Sequence, residues 1–310
     1  MDHLDTLRCF VAVADAGGFA AAARRLGCSA AAVTRAIAAL EARLGVLLFQ
    51  RSTRLVRLTE AGERFLNDCR SILNDLHDAE QAASGAQAEA RGLLSITAPQ
   101  MFGIQHVAPI VQGYVQAQPQ VQVRTLFVNR LVHLLDEGMD VAIRIAHLPD
   151  SGLTAVQVGA LRRLVVASPA YLAQHGRPRQ PADLAQHRAI GFAFDAQAPA
   201  PWKFRDGATG HPQFAWISNS NEVDIAAAEA GLGLTRCLAY QAAAGLRAGR
   251  LRIVLAEHEL PPVPVHIVYP AGRRAPAKVR AFVEFAREAL AREPVLNGRG
   301  LGATRAGRSR

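Results

Sequence analysis

The residues best placed to do chemistry are cationic. Between Glu41 and Glu60 the chain carries no acid, while Arg43, Arg51, Arg54 and Arg57 all fall in that stretch. Guanidinium groups with no neighbouring carboxylate suit phosphate contact, because each neutralised phosphate releases condensed counterions. Just upstream, Ala31, Thr34, Arg35 and Ala38 share one face of an amphipathic segment. Bond-breaking chemistry has no comparable constellation. Ten histidines are scattered singly, and no HExxH motif, GxSxG-linked triad, P-loop or dinucleotide fingerprint occurs. Cys9, Cys28, Cys69 and Cys237 lie far apart without zinc-like spacing and read as small buried hydrophobes. No catalytic residue, cofactor or metal is expected.

The elements that position the arginines follow from apolar periodicity. Leu4, Leu7, Val11 and Ala14 recur at helical spacing before Gly17 and Gly18. Phe19 to Leu26 forms a second helix, and Gly27, Cys28 and Ser29 form a tight turn with Ser29 as N-cap. Ala30 to Arg43 is a third helix, whose Val33, Ile37, Leu40 and Leu44 stripe should pack on the first two. Val46 to Phe49 and Leu55 to Leu58 read as strands of a basic wing joined by Gln50 to Arg54. The whole is a winged helix-turn-helix. Thr59 caps a long helix in which Phe65, Cys69, Ile72, Leu76, Ala79 and Ala83 step by four and three, a coiled-coil seam that predicts dimerisation. The competing reading is a helix packed on its own domain. The apolar pattern lapses at Ser84 to Gly92, where a hinge is placed.

Composition bounds the rest. Half of the 310 residues are apolar, enough for two or three cores, and the net charge of +9 favours a polyanionic partner. Acids stand near the N-terminus where a signal peptide needs bases, and no apolar run is long enough to span a bilayer, so a cytoplasmic protein is expected. From Leu93 strands and helices alternate. The strands are Leu93–Ala98, Val121–Val128, Val141–Ala146, Leu164–Ala167, Ile190–Phe194, Ala215–Ser218, Gly233–Thr235 and the PVHIVYP segment. The helices are Gly103–Gln116, Arg130–Glu137, Asn221–Ala230, Leu238–Ala244 and Pro276–Ala291. Two α/β lobes, with the last elements crossing back, fit this order.

The stretch LRCFVAVADAGGFAAAARRLGCSAAAVTRAIAALEARLGVLLFQRSTRLVRLTEAGERFL, Leu7 to Leu66, resembles the LysR-type transcriptional regulators. APQMFG, GMDVAIRIAHLPDS, ASPAYLAQHG, EAGLGL and PVHIVYPAGRR are similar to that family's effector-binding domain. The resemblance implies a homodimer or homotetramer on promoter or operator DNA, RNA polymerase as a further partner, no membrane, and a small-molecule effector, usually an organic acid or aromatic metabolite. It implies an N-terminal all-α winged helix-turn-helix (residues 1–62), a dimerising linker helix (59–88) and a two-lobed α/β domain like periplasmic binding proteins (91–294). Lobe one takes 91–161 and 266–294 and lobe two 162–265, with 295–310 a disordered basic tail.

Within that frame, exposed residues near the start of the third helix, Ala30, Ala31, Thr34 and Arg35, should meet base edges. Arg51, Ser52 and Arg54 should hold phosphates or enter the minor groove, with Arg24 and Arg25 secondary. Family members often carry Ser, Pro or Gln where this chain has Ala30, Ala31 and Ala36, which leaves methyl contacts to thymine. Phe65, Cys69, Ile72, Leu76 and Ala79 should form the dimer seam. Effectors of α/β lobes bind at strand C-termini, where helix N-termini offer free amides. Pro99, Gln100, Met101 and Phe102 in lobe one, and Asn219, Ser220 and Arg236 in lobe two, are therefore candidates, with a carboxylate on the amides near Gln100 and Met101 and its apolar body on Phe102. Met101 and Phe102 as core, and Asn219 and Ser220 as caps, are the alternative. Arg144 lies in an otherwise buried strand and needs a partner or a wet cavity. A solute-binding receptor would explain only the residues after Leu93, and an α/β enzyme lacks its catalytic constellation.

Overall fold

Helix α1 (His3–Ala16) starts on a capping box: the Leu4 amide donates to the Asp2 carboxylate at 2.6 Å and the Asp2 amide donates to Asp5 at 3.4 Å. Helix α2 (Phe19–Leu26) ends at Gly27, whose φ of 65° sets the tight turn into α3 (Ala30–Leu44). Ser29 caps α3 by accepting from the Ala32 amide at 3.2 Å. This unit belongs to the computed structural model of the chain, which describes residues 2–51, 56–83, 89–193, 200–270 and 275–297, without the side chains of 51, 67, 71, 74, 75, 77–79 and 81–83. Two units are present, Met1–Glu89 and Ala90–Arg310.

In the first unit Val33, Ile37 and Leu40 bury against Phe10, Val13 and Ala22. Phe10 stands between Phe49 and Phe65, ring centroids 5.3 and 5.4 Å away. Two expectations for α3 change. Leu44 is 40% exposed, and the buried position in that last stretch belongs to Glu41. Its Oε1 accepts from the Leu48 amide at 2.9 Å and the Phe49 amide at 3.1 Å. Those bonds hold the chain entering the wing, so the first strand, β1, starts later than expected, at Phe49–Arg51, and Val46 and Leu47 stay exposed. It pairs antiparallel with β2 (Val56–Leu58), Gln50 opposite Arg57.

Thr59 accepts from the Gly62 amide at 2.9 Å and opens α4 (Glu60–Ala83), with Glu60 and Glu63 at its positive end. A Cβ on Gly62 would lie 2.1 Å from the Leu48 carbonyl oxygen, so glycine is what lets the helix reach the wing backbone. The expected dimer seam is corrected here. Cys69 is fully buried and Phe65 packs on the core of its own unit, alongside Leu66 and Leu73. Ile72 is exposed and Leu76 half-buried, while the Ala79 side chain lies outside the described residues.

The second unit runs β3 (Gly92–Ala98), α5 (Gln100–Phe102), a π-helical turn Gly103–Val107, α6 (Ala108–Ala117), β4 (Val121–Phe127), β5 (Val141–Ile145) and β6 (Leu153–Leu161). After the crossover come β7 (Arg163–Ala167), α7 (Pro169–His175), β8 (Arg188–Phe192), β9 (Trp202–Lys203), β10 (Thr209–Gly210) and β11 (Gln213–Ser218). The chain continues through α8 (Asn221–Glu229), β12 (Leu234–Leu238), α9 (Ala239–Arg247), β13 (Arg252–Val254), β14 (Val263–Pro270) and α10 (Ala277–Ala291). One sheet is ordered β4-β3-β5-β14-β6, with β3, β4 and β5 parallel and β14 antiparallel to both neighbours. The other is β11-β8-β12-β7-β13, with β7 antiparallel to β12 and β13. The fold is therefore an N-terminal helical winged unit and two α/β lobes with mixed sheets.

Arg130 to Glu137 is not a helix. Val132 and Leu134 are both buried while Leu131 and Leu135 are exposed, an alternation of two that no α-helix presents on one face. Arg130 closes the segment on Glu137 with hydrogen bonds of 2.7 and 2.6 Å. The first lobe helix begins three residues early, at Gln100. The return strand begins at Val263, one residue before the PVHIVYP segment and ahead of the lobe boundary placed at 266. The tail is partly ordered: Leu296 is buried and the Asn297 side chain donates to the Ala291 carbonyl at 2.8 Å, while 298–310 lie outside the described residues. Apolar Val295 and Leu296 find partners in the lobe-one core.

Glu41→Ala leaves two buried amides without acceptors and should cost about 2–4 kcal/mol. Thermal unfolding by far-UV circular dichroism should show an earlier first transition; an unshifted melting curve would contradict the tie between α3 and the wing.

Candidate DNA interface and effector cleft

On α3, Ala30, Ala31 and Arg35 are exposed and Thr34 is half-buried, its hydroxyl donating to the Ala30 carbonyl at 2.9 Å. That hydroxyl keeps its lone pairs as acceptors. Ala36 is 7% exposed and belongs to the core, so its methyl is withdrawn from the reading face. Arg25 pairs at 3.7 Å with Asp15, which also binds Arg70 of α4, whereas Arg24 is exposed. On the wing, Gln50 and Arg57 face each other across the strand pair with exposed side chains. Gln50 was missed because nothing in its type marks it. The Arg51 side chain, Ser52 and Arg54 lie outside the described residues.

In the second unit the parallel strands β3, β4 and β5 end together. Around those ends Thr97 to Pro99, Val128 to Val132 and Ala142 to Ala146 line a cavity of about 290 Å³. Pro99 and Arg144 of the expected set are on it. The Arg144 guanidinium donates to the Val132 carbonyl, and burial lowers its pKa. The free amide predicted at Gln100 exists but is taken: it donates to the Asn129 side-chain oxygen at 3.1 Å. The Asn129 side-chain nitrogen reaches the Asn219 carbonyl at 3.5 Å, linking the two lobes. Asn129 was not singled out from sequence, since it sits just before a segment whose composition suggested a helix.

The other expected effector residues are dispersed. Phe102 is fully buried against His106 and Tyr240, centroids 4.8 and 5.3 Å away, and offers no wall to a ligand. Met101 faces a different cavity of about 500 Å³ shared with His106, Glu222 and Tyr240. Ser220 is the N-cap of α8; its hydroxyl donates to Glu222 at 2.9 Å and accepts from the Val223 amide at 3.5 Å. Asn219 is exposed beside it. Arg236 lies within β12, not after it, with its guanidinium 5.5 Å over the Trp202 ring. Burial, and then the neighbouring Arg163, lower its pKa to about 10. Among the described residues no group of three His, Cys, Asp or Glu is placed to hold a metal, and no helix is long and apolar enough to cross a membrane.

Residues 4–63 match the bacterial regulatory helix-turn-helix proteins of the lysR family, and residues 87–291 match the LysR substrate binding domain. The chain belongs to the LysR family of transcriptional regulators. It is 34% identical to an HTH-type transcriptional regulator of Xanthomonas campestris pv. campestris, over 92% of this chain and 84% of that protein. It is also 34% identical to PtxR, an HTH-type transcriptional regulator of Pseudomonas aeruginosa, over 94% of both chains. Among solved structures, the LysR-type regulator CrgA of Neisseria meningitidis superposes with a TM-score of 0.59 at 28% identity, covering 92% of this chain and 98% of that one. A LysR regulator carries a helix-turn-helix for DNA and a domain for a small molecule, and it is not an enzyme.

This LysR regulator holds one buried acid beside the lobe-two end of the cleft. Asp224 of α8 is 2% exposed and accepts from the Ser218 hydroxyl at 2.7 Å. Burial raises its pKa, against the Ser218 hydrogen bond, and Glu222 adds to the rise. The folded state therefore holds that proton more tightly than the unfolded chain, whose ordinary value is 3.8. The penalty is absent below 3.8, grows as pH rises through the raised value, and is complete above it. Asp224→Asn should accordingly melt at or above the wild-type temperature at pH 7, with the difference shrinking as pH is lowered. A variant that melts well below wild type at pH 7 and gains on acidification would reverse the sign.

Proposed function

We propose that the protein binds specific promoter DNA as a homodimer or homotetramer, and that a small organic acid or aromatic metabolite in the cleft between the lobes tunes that binding. The observation that carries the first half is the reading face of α3. Arg35 is its one exposed side chain with strong hydrogen-bonding reach, flanked by the methyls of Ala30 and Ala31 and the hydroxyl of Thr34. An arginine on this face makes bidentate contact with guanine, or holds a phosphate. Arg57, together with Arg51, Ser52 and Arg54, supplies sequence-independent attraction from the wing. The cleft half rests on the cavity at the ends of the parallel strands and on Asn129, which already spans the lobes. RNA polymerase follows as a partner if the regulated step is activation.

For self-association the reading uses the far half of α4. With Phe65 and Cys69 turned into their own unit, Ile72 and Leu76 are what a second copy would cover, and Ala79 continues the line by sequence. An exposed isoleucine at heptad spacing on a long helix gains by pairing with its own copy.

Gel shifts on the DNA upstream of the protein's own coding region test the reading. Arg35→Ala should weaken cognate binding about tenfold to a hundredfold and random DNA far less. Arg54→Ala should weaken both alike and flatten the salt slope by about one unit. Equal losses on the two DNAs for Arg35→Ala would remove it from the reading role. Sedimentation velocity checks the helix: Ile72→Glu should shift dimer toward monomer, and an unchanged distribution would place the interface elsewhere.

A further inference from the structure

Asp15 is the only acid between Asp5 and Glu41, a stretch that holds all of α2, the tight turn and the reading face of α3. It stands in the last turn of α1, at the negative end of the helix dipole, where a carboxylate is disfavoured. Helix stability therefore does not account for it. Its contacts do, because its two oxygens go to cations on two other helices. Oδ2 lies 3.7 Å from the Arg25 guanidinium of α2, and Oδ1 accepts a hydrogen bond from the Arg70 guanidinium of α4.

The two pairs are unequal. Arg70 makes the hydrogen-bonded contact and anchors the carboxylate between α1 and α4. Arg25 is held beyond hydrogen-bond distance, and its side chain is 64% exposed against 27% for Asp15. An exposed pair of this kind adds little to folding, and a competing anion can take its cation. The surface around Arg25 says which anion. Residues 24–31 are exposed without a break, from the end of α2 through the turn to the first residues of α3. Arg25 thus shares one uninterrupted surface with Ala30 and Ala31 of the reading face. In a helix-turn-helix the first helix of the pair crosses the sugar–phosphate backbone while the second enters the groove. A guanidinium on this surface meets phosphate, and Asp15 is the group that phosphate has to displace.

We propose that Asp15 is a positioning residue for DNA binding, which draws Arg25 back from the DNA backbone and so lowers the sequence-independent part of the affinity. This rests on the reading of α3 as the helix that enters the groove. A guanidinium turned to phosphate releases a condensed counterion, and one turned to Asp15 does not. Phosphates recur along every duplex, so the effect of Asp15 falls on all sequences alike, whereas that of Arg35 falls on the cognate one.

The test follows the fluorescence anisotropy of two labelled duplexes titrated with the full-length chain over a series of salt concentrations. One duplex is the DNA upstream of the protein's own coding region, the other a random sequence of equal length. Asp15→Asn should tighten both complexes alike, by about two- to fivefold, the factor to which the worth of an exposed ion pair corresponds. It should also steepen the salt slope by about one unit. In an Arg25→Gln background the same change should leave affinity and slope unmoved, and Asp15→Glu should keep the wild-type values. Thermal melting of each variant is recorded alongside. A merely structural brace gives the opposite sign, weaker binding to both duplexes with a lowered melting temperature, and that result overturns the proposal. So does unchanged binding in Asp15→Asn. A gain that persists in the Arg25→Gln background overturns it as well, assigning the effect to bare repulsion of DNA or to Arg70. Wild-type protein that binds neither duplex sinks the reading of α3 and the proposal with it, whereas wild-type binding that Asp15→Asn leaves unmoved sinks the proposal alone.

Discussion

The Glu41 carboxylate is the constraint on which the DNA-binding unit turns. It sits on the reading helix, is 7% exposed, and accepts the backbone amides of Leu48 and Phe49 where the chain leaves α3 for the wing. An uncompensated carboxylate at that depth would cost several kcal/mol, so those two amides and the charge must stay together. The wing therefore cannot move independently of the recognition helix. Phe49, fixed by the same bond, fills the space beside Phe10 and Phe19, and Leu48 brings its carbonyl against Gly62 of α4. One carboxylate thereby sets the spacing between the side chain meant for the major groove and those meant for the backbone. It also ties the start of α4 into the same rigid body.

The second unit differs in how its polar groups are partnered. At the ends of β3, β4 and β5 the Gln100 amide is satisfied by the Asn129 side chain, a group that a ligand oxygen could replace without loss. In lobe two, Arg163 and Arg236 have no carboxylate partner among the described residues, and burial lowers the pKa of both. Two part-buried cations on one face of a sheet repel each other, at a cost to the lobe. One unit uses a buried carboxylate to lock geometry; the other buries guanidinium groups against an aromatic ring.

How much of the fold was legible in the sequence depends on which residues carried the signal. The helix-turn-helix was plain, because three helices with apolar stripes and glycine stops announce themselves by period. The alternation of lobes followed from strand and helix order. What escaped was tertiary in origin. Glu41 reads as a surface acid on a helix, and only the amides of Leu48 and Phe49 make it core. Phe65 and Cys69 fit a coiled-coil seam as well as they fit a domain core, since spacing alone does not say which partner a stripe meets. Arg163 and Trp202 gained meaning only when β7, β9 and β12 were brought together. The nine-residue strand β6 was unnoticed because its alternation uses small residues, Ala155, Gly159 and Ala160, with little hydrophobic contrast.

The reading face of α3 is sparse, and that shapes how selectivity can arise. Ala36 is withdrawn into the core, Thr34 spends its proton on the Ala30 carbonyl, and Ala30 and Ala31 offer only methyls. What is left for bases is one guanidinium, one acceptor oxygen and a smooth apolar surface. Each good bidentate contact discriminates by about 1–3 kcal/mol, short of the roughly 4–10 kcal/mol that separates specific from non-specific binding. Under the proposed function the remainder has to come from doubling the contact through a second copy and from the shape and stiffness of DNA between half-sites. A regulator that reads few bases per helix depends on the distance between its helices. That distance is what an effector acting at the joint of the lobes would be able to change.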